Sequence, residues 1–397
     1  MAKIALLGIG TVGGGVAELL CSNAAQIAAG AGEKLELKYI MCSRAHPDNP
    51  FADKIVYDFS VIENDEEISV VAECIGGVGA AYEYVKRALL AGKNVVSSNK
   101  ELIAERGMEL LAIAAQKNVR LLFEASVGGG IPIIRPLTQC LAANRVDEIY
   151  GILNGTTNYI LTQMFQCEQS FDTALREAQR LGYAESNPTA DIEGLDAGRK
   201  ICILADICFG RNVPPEKIRI RGITGITAAD AVLAGRLGFT VKLLGRAKRM
   251  ENRLTVYVSP HMIGEDKLLS GISGVMNGIC VKGNAVGECL FYGAGAGRLP
   301  TASAVVADLI DAVRHVSDGK DPRWVEGAND LLADSDELPC RWYVRAKAGA
   351  AALERVFGGT AVTENVYSAI ITQEMPRSEL EDLCAGLGVE AVWPVLE

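Results

Sequence analysis

Histidine is scarce in this sequence, with only His46, His261 and His315 among 397 residues. A serine or cysteine nucleophile needs a base beside it, so this scarcity weakens any Ser-His or Cys-His mechanism. The eleven cysteines include no Cys-x-x-Cys pair and are scattered through apolar segments. We therefore expect reduced cysteines in the protein core rather than a disulfide framework or a cysteine-bound metal.

Long apolar runs and a basic patch are also missing. The most apolar stretches, such as residues 201–209, are short, and this one contains Asp206, whereas a transmembrane helix needs about 20 apolar residues. The N-terminus becomes glycine-rich too soon for the apolar region of a signal peptide. The 39 Lys and Arg against 49 Asp and Glu give a net charge of −10, which opposes binding to a phosphate backbone. We expect a cytoplasmic protein with no membrane or nucleic-acid partner.

The chain is long enough for several domains, and its patterns differ along its length. Up to about residue 124, apolar strands alternate with helical stretches, which predicts an α/β fold with a doubly wound parallel sheet of the Rossmann type. After the glycine run at 128–130, longer helices and amphipathic strands predict a second, α+β domain. Residues 318–339 show little apolar periodicity and suggest a linker. From residue 341 the order βαββαβ predicts a small ferredoxin-like sandwich.

A glycine turn, Gly8-Ile9-Gly10-Thr11-Val12-Gly13, follows the first strand and precedes a helix. This context favours binding of a dinucleotide pyrophosphate, although a glycine turn can serve packing alone. The second predicted strand ends in Met41-Cys42-Ser43-Arg44, without the acid that usually binds an unphosphorylated ribose. Ser43 and Arg44 suit a 2′-phosphate, so we expect NADP, with NAD possible and a merely solvated Arg44 as the alternative.

Two lysines are candidates for the chemistry of hydride transfer, which leaves negative charge on a carbonyl oxygen. Lys100 follows a strand of the nucleotide domain, and the carboxyl ends of those strands face the cofactor crevice. Lys200 is four residues after Asp196, so the two share a helix face if the helix begins near Asp191. A surface ion pair of small value is the alternative. Gly194 and Gly198 weaken that helix and indicate that something approaches it closely.

The segment Asn154-Gly155-Thr156-Thr157-Asn158 joins a strand to a helix. It can offer hydroxyls and backbone N–H groups to a carboxylate, although an ordinary helix cap is equally compatible with it. Nearby acids, including Glu185, can hold an ammonium group. Together these features suggest an amino-acid substrate.

Five ordered segments across residues 1–320 resemble homoserine dehydrogenase. They are Gly8–Gly13, Ser98–Leu102, Glu124–Pro132, Asn154–Asn158 and Leu181–Lys200. The resemblance implies the reversible NAD(P)H-dependent reduction of L-aspartate 4-semialdehyde to L-homoserine, a step shared by threonine and methionine biosynthesis. It also implies a homodimer or homotetramer formed through the second, catalytic and dimerisation domain.

The resemblance further assigns roles to individual residues. Lys200 would donate the proton, and Lys100 would be a second lysine near the substrate and nicotinamide. The implied substrate-binding residues are Glu185, Asp196, Asp191, Tyr183, Gly155 and Thr156. The implied cofactor-binding residues are Gly8, Gly10, Thr11, Val12, Gly13, Arg44, Gly76, Lys100, Gly182, Gly295 and Gly297, the last two in a second glycine turn that could also be a simple hinge. A sodium ion would bind near Glu124, Val127, Gly129 and Ile131.

The sequence pattern and this resemblance together define the expected domains. They are a nucleotide-binding domain at 1–130 with a returning helix at 298–317, a catalytic and dimerisation domain at 131–297, a linker at 318–339 and an ACT-like unit at 340–397. In this last unit Lys347-Ala348-Gly349-Ala350 replaces the family's acid-x-Pro-Gly turn. We therefore expect a degenerate unit with weakened or lost threonine feedback.

Two other functions compete with this assignment. Another Rossmann oxidoreductase could oxidise a semialdehyde through a covalent thioester, which requires a cysteine activated by a base. A nucleotide sensor could instead bind NADP without turnover, and would then have no need of Lys100, Lys200 or the acids.

Overall fold

The computed structural model describes residues 1–314, 324–328 and 330–396. Over these residues the chain forms two compact units, each built from three stretches of sequence. The first unit comprises Met1–Asn144, Cys202–Pro215 and Gly293–Gly327, and the second comprises Arg145–Ile201, Glu216–Tyr292 and Ala328–Glu397. No helix within the described ranges has the length and apolar content needed to cross a membrane.

A six-stranded parallel sheet organises the first unit. Its strands are apolar along most of their length because both faces are buried. The strands are β1 (Ala2–Leu7), β2 (Leu35–Met41), β3 (Ile55–Val56), β4 (Ile68–Glu73), β5 (Asn94–Ser97) and β6 (Leu121–Leu122), in the spatial order β3-β2-β1-β4-β5-β6. This order confirms the predicted Rossmann-type sheet, and its switch point lies between β1 and β4.

Helices connect the strands of this sheet. The single helical stretch expected after the glycine turn is in fact two helices, because Asn23 ends the first one. The helices are α1 (Thr11–Ser22), α2 (Ala24–Ala31), α3 (Ser60–Glu63), α4 (Gly79–Leu90) and α5 (Lys100–Lys117).

A second six-stranded sheet and several helices form most of the second unit. The two longest strands, β9 and β10, pair antiparallel from end to end. The strands are β7 (Val146–Ile152), β8 (Arg219–Ile220), β9 (Phe239–Met250), β10 (Arg253–Gly264), β11 (Met276–Gly283) and β12 (Gly287–Ala294), in the order β12-β11-β7-β9-β10-β8; the helices are α6 (Gly155–Gln166), α7 (Phe171–Arg180), α8 (Thr189–Ile192), α9 (Leu195–Phe209) and α10 (Ala228–Arg236). Of these elements, the end of α9 from Cys202 and the end of β12 from Gly293 belong to the first unit.

The helix α11 (Arg298–Arg314) belongs to the first unit. Its buried residues Ala302, Val305 and Leu309 join Val16 and Ala17 of α1 in one apolar core. Of the returning helix expected at 298–317, residues 315–317 lie outside the described residues. The same holds for residues 318–323 and 329 of the expected linker.

The C-terminal part of the second unit has the predicted βαββαβ order. Its antiparallel sheet follows the spatial order of a ferredoxin-like sandwich, with Trp342, Val344, Leu353 and Phe357 in its core. The elements are β13 (Trp342–Ala346), α12 (Ala350–Phe357), β14 (Val362–Glu364), β15 (Tyr367–Ile371), α13 (Arg377–Cys384) and β16 (Val389–Pro394), and the sheet order is β14-β15-β13-β16.

Candidate active site

The three glycines of the first turn have three different surroundings. Gly8 has φ +92°, a left-handed conformation that favours glycine. A Cβ on Gly13 would lie 2.1 Å from the carbonyl oxygen of Gly8, so only glycine allows α1 to pack this closely on the turn. A Cβ on Gly10 would meet nothing within 4 Å, which leaves open space at the N-terminus of α1. Thr11 and Val12 open this helix, and the arrangement fits a pyrophosphate.

The end of β2 offers no carboxylate to a ribose. The strand ends at Met41, Cys42 is buried, and Ser43 and Arg44 are exposed to solvent. A hydroxyl and a guanidinium are therefore accessible at the place where an acid would hold an unphosphorylated ribose.

A buried acid that sequence reasoning missed organises the ends of β4 and β5. Glu73 is fully buried, and its carboxylate accepts hydrogen bonds from the backbone N–H groups of Ile75 (2.8 Å) and Gly76 (3.2 Å) and from the Ser97 hydroxyl (2.6 Å). Gly76 has φ +81°. Glu73 therefore shapes the turn that contains the predicted cofactor residue Gly76. An acid that ends the apolar run Val70-Val71-Ala72 was the available signal.

Lys100 begins α5, just past β5. The preceding residue, Asn99, caps the helix by accepting a hydrogen bond from the Leu102 N–H (3.1 Å), and its amide donates to the Gly77 carbonyl (2.6 Å). These contacts fix the backbone from which the Lys100 side chain extends. They also join the start of α5 to the glycine turn after β4.

The second glycine turn packs against the segment that begins at Val127. Gly129 has φ +56°, and a Cβ there would lie 2.4 Å from the Gly295 carbonyl oxygen. The N–H of Gly130 donates to the Ala294 carbonyl (2.9 Å). Gly297, with φ +126°, completes the turn immediately before α11. The predicted cofactor residues Gly295 and Gly297 are thus tied to the segment of the predicted cation ligands.

The Glu124 carboxylate is fully engaged by backbone donors. It accepts hydrogen bonds from the N–H groups of Ile133 (2.6 Å), Ile134 (2.8 Å) and Arg135 (2.8 Å). By contrast, within the described residues the carbonyl oxygens of Val127, Gly129 and Ile131 accept no hydrogen bond. Backbone carbonyls are hard oxygen donors that suit a cation such as sodium. The described part of the chain holds no cluster of three or more His, Cys, Asp or Glu fit for a metal.

In the second unit, Lys200 and Asp196 form a buried ion pair. The two residues are 8% and 6% exposed, and Lys200 Nζ lies 2.7 Å from Asp196 Oδ2. Lys200 also donates to the Leu153 carbonyl (2.7 Å). An ammonium has three N–H donors, and these contacts use two of them. The ion pair is therefore not the solvated surface pair that was the alternative interpretation.

Asn154 joins the segment after β7 to two acids. Its side-chain oxygen accepts from the Thr157 N–H (2.8 Å) and so caps α6. Its amide nitrogen donates to Asp191 Oδ1 (2.7 Å) and Asp196 Oδ2 (2.9 Å). The helix cap is therefore confirmed, and the same side chain also contacts two of the acids predicted to bind the substrate. Asn154 itself was not singled out by sequence reasoning.

Two further predicted substrate residues, Thr156 and Tyr183, meet at the start of α6. Thr156 donates its hydroxyl to the Tyr183 carbonyl (2.6 Å), and the Tyr183 ring makes an edge contact with Tyr159 at 5.1 Å between centroids. Tyr183 and Glu185 are exposed. Gly182, with φ +76°, is also exposed, in the turn after α7. Of these residues, Thr156 and Tyr183 are in direct contact.

The helix that contains Lys200 starts later than expected. Gly194, with φ +83°, separates the short α8 from α9, so a helix starting near Asp191 is wrong even though Asp196 and Lys200 share a face of α9. The element that approaches α9 closely is β8. Cβ atoms on Gly194 and Gly198 would lie 3.1 Å and 2.6 Å from side-chain carbons of Ile220. These two glycines therefore serve close packing rather than contact with a ligand.

All eleven cysteines are within the described residues and are free thiols. Cys21, Cys140 and Cys167 are exposed, so the expectation that every cysteine lies in the core is wrong for these three. Burial raises the pKa of Cys74 and of Cys280 to about 12. Because the thiolate is the reactive form, these two thiols do not suit a thioester mechanism.

Known proteins resemble this chain over most of its length. Family models described as "Homoserine dehydrogenase" and "Homoserine dehydrogenase, NAD binding domain" match residues 132–310 and 8–124. The homoserine dehydrogenase of Pseudomonas aeruginosa is 43% identical over 354 residues, which cover 87% of this chain and 82% of that protein.

Solved structures show the same relationship. A homoserine dehydrogenase from Thiobacillus denitrificans has a TM-score of 0.91 and 36% identity, covering 100% of this chain and 98% of that one. A hyperthermophilic archaeal homoserine dehydrogenase, solved in complex with NADPH, has a TM-score of 0.67 and 27% identity, covering 78% and 97%. These findings confirm the resemblance seen in the motifs. The chain belongs to the homoserine dehydrogenase family, oxidoreductases of amino-acid biosynthesis that use a nicotinamide cofactor.

Proposed function

We propose that Lys200 exchanges a proton with the substrate oxygen during the interconversion of L-homoserine and L-aspartate 4-semialdehyde. The observation that carries the proposal is the buried ammonium of Lys200, which Asp196 and the Leu153 carbonyl hold in place. Among the described residues its third N–H has no further acceptor. A fixed donor aimed at the oxygen on which charge develops is what this reaction needs. The nicotinamide, when bound, supplies or accepts the hydride.

The substrate would be held at its two charged ends. Its carboxylate would bind at the N-terminus of α6, where Gly155 and Thr156 provide the first N–H groups of the helix, which have no intrahelical partner. Its ammonium would bind to the acids Asp191, Asp196 and Glu185, with Tyr183 beside them. Asn154 supports this arrangement because its hydrogen bonds couple the start of α6 to two of the acids.

We assign cofactor binding to the first unit and favour NADP. The open N-terminus of α1 at Gly10 would take the pyrophosphate, with Gly8, Thr11, Val12 and Gly13 forming the turn around it. Exposed Arg44 would take the 2′-phosphate. Lys100, Gly76, Gly295 and Gly297 complete the proposed cofactor site of this unit. Gly182 belongs to the second unit, and its role in cofactor binding is proposed from the sequence. A similar protein solved with NADPH agrees with this preference.

A sodium site is proposed at the carbonyl oxygens of Val127, Gly129 and Ile131, which no other donor occupies within the described residues. The Glu124 side chain would not be a ligand, because three backbone N–H groups already bind it. The role of Glu124 would be to hold the backbone of residues 133–135 in place.

The expected domain boundaries, a homodimer or homotetramer and a cytoplasmic location are proposed from the sequence. We also propose that the C-terminal unit responds weakly or not at all to threonine. In its first turn the N–H groups of Lys347 and Ala348 already donate to the Gly388 and Leu387 carbonyls, at 3.1 Å and 3.2 Å. Those amides are therefore occupied before any ligand binds.

Steady-state kinetics with homoserine and NADP or NAD separate the proposed roles. Glu185→Gln and Asp191→Asn should raise the KM for homoserine and change kcat less, because these acids bind the substrate in ground and transition states alike. Lys200→Met should lower kcat. Homoserine-independent reduction of the cofactor, or no reduction at all with cofactor still bound, would contradict the proposal.

A further inference from the structure

A second buried lysine lies behind the start of α6. Lys242, on β9, is 2% exposed, and its Nζ donates to the side-chain oxygen of Asn158 (3.1 Å) and to the Ile272 carbonyl (2.6 Å). Asn158, in the first turns of α6, donates its amide to the carbonyls of Ile272 (3.2 Å) and Met276 (3.0 Å). Lys242 thus ties β9, α6 and the segment 268–276 together through one ammonium.

The same segment packs closely against the N-terminus of α6, where we propose that the substrate carboxylate binds. A Cβ on Gly155 would lie 2.6 Å from the Val275 carbonyl oxygen. It would also lie 3.6 Å from Oδ1 of Asn277, which is 0% exposed and whose two amide atoms have no hydrogen-bond partner among the described residues. The Asn277 side chain, whose amide atoms have no hydrogen-bond partner among the described residues, therefore lies next to Gly155.

Within the described residues, no counterion lies near the charge of Lys242. Neither α6 nor the segment 268–276 contains a charged residue, and no carboxylate pairs with Lys242 in the described part of the chain. Its pairing partner on the neighbouring strand β10 is His261. Burial lowers the pKa of His261 to about 3, so this imidazole is neutral. The titratable residue on α6 is Tyr159, whose ring packs on Tyr183. Burial lowers the pKa of Lys242 itself to about 8.

An isolated buried ammonium is expensive, and an apolar side chain of similar size would give a more stable protein. Its cost is offset when an anion binds close by. The position of Lys242 behind the first turn of α6 points to the substrate carboxylate as that anion. This step rests on the proposed function, which places the carboxylate at Gly155 and Thr156.

We propose that Lys242 is a positioning residue for homoserine, holding the first turns of α6 through Asn158 and adding positive charge behind the carboxylate-binding helix end. It need not touch the substrate. The role differs from a purely structural one because it depends on the negative charge of the ligand.

The test compares Lys242→Met with a matched control, Lys93→Met. Lys93 is also a buried lysine (4% exposed) that donates to backbone carbonyls, those of Asp65 (2.7 Å) and Ile68 (3.2 Å), and it precedes β5 in the first unit. Each variant is assayed for the KM of homoserine and for the inhibition constant of 3-aminopropan-1-ol, which is homoserine without its carboxylate. Thermal unfolding reports the folded state of each variant.

Lys242→Met should stay folded and raise the KM for homoserine about tenfold or more, with a smaller change in kcat, as expected for the loss of a charge near an anion. The inhibition constant of 3-aminopropan-1-ol should not change. In the unmodified protein the KM should rise as the pH increases through about 8, where Lys242 loses its proton, and this rise should be absent in Lys242→Met. Lys93→Met should leave the KM unchanged.

An unchanged KM in folded Lys242→Met would overturn the proposal, and so would an equal loss with 3-aminopropan-1-ol. If Lys242→Met does not fold, Lys242→Gln retains hydrogen bonding without the charge and must show the same carboxylate-dependent loss. A failure of the proposed function would be recognised from a different variant. Full turnover by Lys200→Met would contradict that function and would say nothing about Lys242.

Discussion

The Lys200 ammonium and the Asp196 carboxylate, one turn apart on α9, form a buried ion pair with an N to O distance of 2.7 Å. Burying two charges is costly, and breaking such a pair leaves one buried charge uncompensated. Asp196 also accepts from Asn154, the residue that caps α6. The ion pair thus connects the proposed proton donor to the proposed carboxylate site through two side chains.

The glycine turn offers a test that separates packing from ligand binding. Gly13→Ala should lower the melting temperature, because its Cβ would lie 2.1 Å from the Gly8 carbonyl and the backbone must shift, at a cost of about 1–3 kcal/mol. Gly10→Ala should leave the melting temperature unchanged, since nothing lies within 4 Å of its Cβ, but should weaken nucleotide binding. Calorimetry and nucleotide titration measure both effects. Identical behaviour of the two variants would contradict this division of roles.

Arg44 is expected to set the preference for NADP. Removing its guanidinium in Arg44→Ser should raise the KM for NADP about tenfold to a hundredfold, the range of a lost charge-assisted hydrogen bond, and leave the KM for NAD nearly unchanged. Initial rates with the two cofactors give the ratio. Equal effects on both cofactors would show that Arg44 does not contact the 2′-phosphate.

The sequence predicted much of the fold because its strongest signals are local. Apolar strands that alternate with helices, and the βαββαβ order after residue 341, depend on periodicities that one stretch of chain determines. The break at Asn23 and the late start of α9 were missed, since a single capping residue or a left-handed Gly194 decides them.

In the candidate site, too, the features set by local spacing were predicted and those set by distant contacts were not. The spacing of Asp196 and Lys200 placed both on one helix face, as the structure has them. Lys242 was missed because its partners come from distant elements, such as Asn158 at a separation of 84 residues. The contacts of Glu73 with Ser97 and of Asn154 with two acids were missed for the same reason, although Asn154 was part of a predicted segment. The glycines at 194 and 198 correctly indicated a close approach, but the approaching group is Ile220 of β8.

His261 should make the stability of the second unit depend on pH. It is fully buried, and burial together with the nearby Arg246 lowers its pKa to about 3, against 6.5 as the ordinary value. Between these values the unfolded chain binds a proton that the folded chain does not. The free energy of unfolding is therefore unaffected by this group above about pH 6.5 and decreases as the pH falls below it.

The corresponding slope for one proton is about 1.4 kcal/mol per pH unit. His261→Gln should show a shallower fall in melting temperature between pH 6.5 and 4.5 than the unmodified protein, whatever its absolute stability. Differential scanning fluorimetry across that range gives both slopes. Parallel slopes would contradict a buried neutral His261.

Threonine should have little effect on activity. The turn from Lys347 to Ala350 lacks the acid-x-Pro-Gly pattern, and its first two N–H groups are already bound. Homoserine oxidation measured with increasing threonine should therefore stay nearly constant. A steep fall at low threonine concentration would show that the C-terminal unit retains feedback control.

The proton transfer by Lys200 is tested most directly by the single-turnover rate of hydride transfer from homoserine to NADP in Lys200→Met, with cofactor binding measured in parallel. We expect the rate to fall by about a hundredfold or more, the usual contribution of a general acid or base, with unchanged affinity for NADP. A near-normal rate in that variant would show that Lys200 does not take part in the proton transfer.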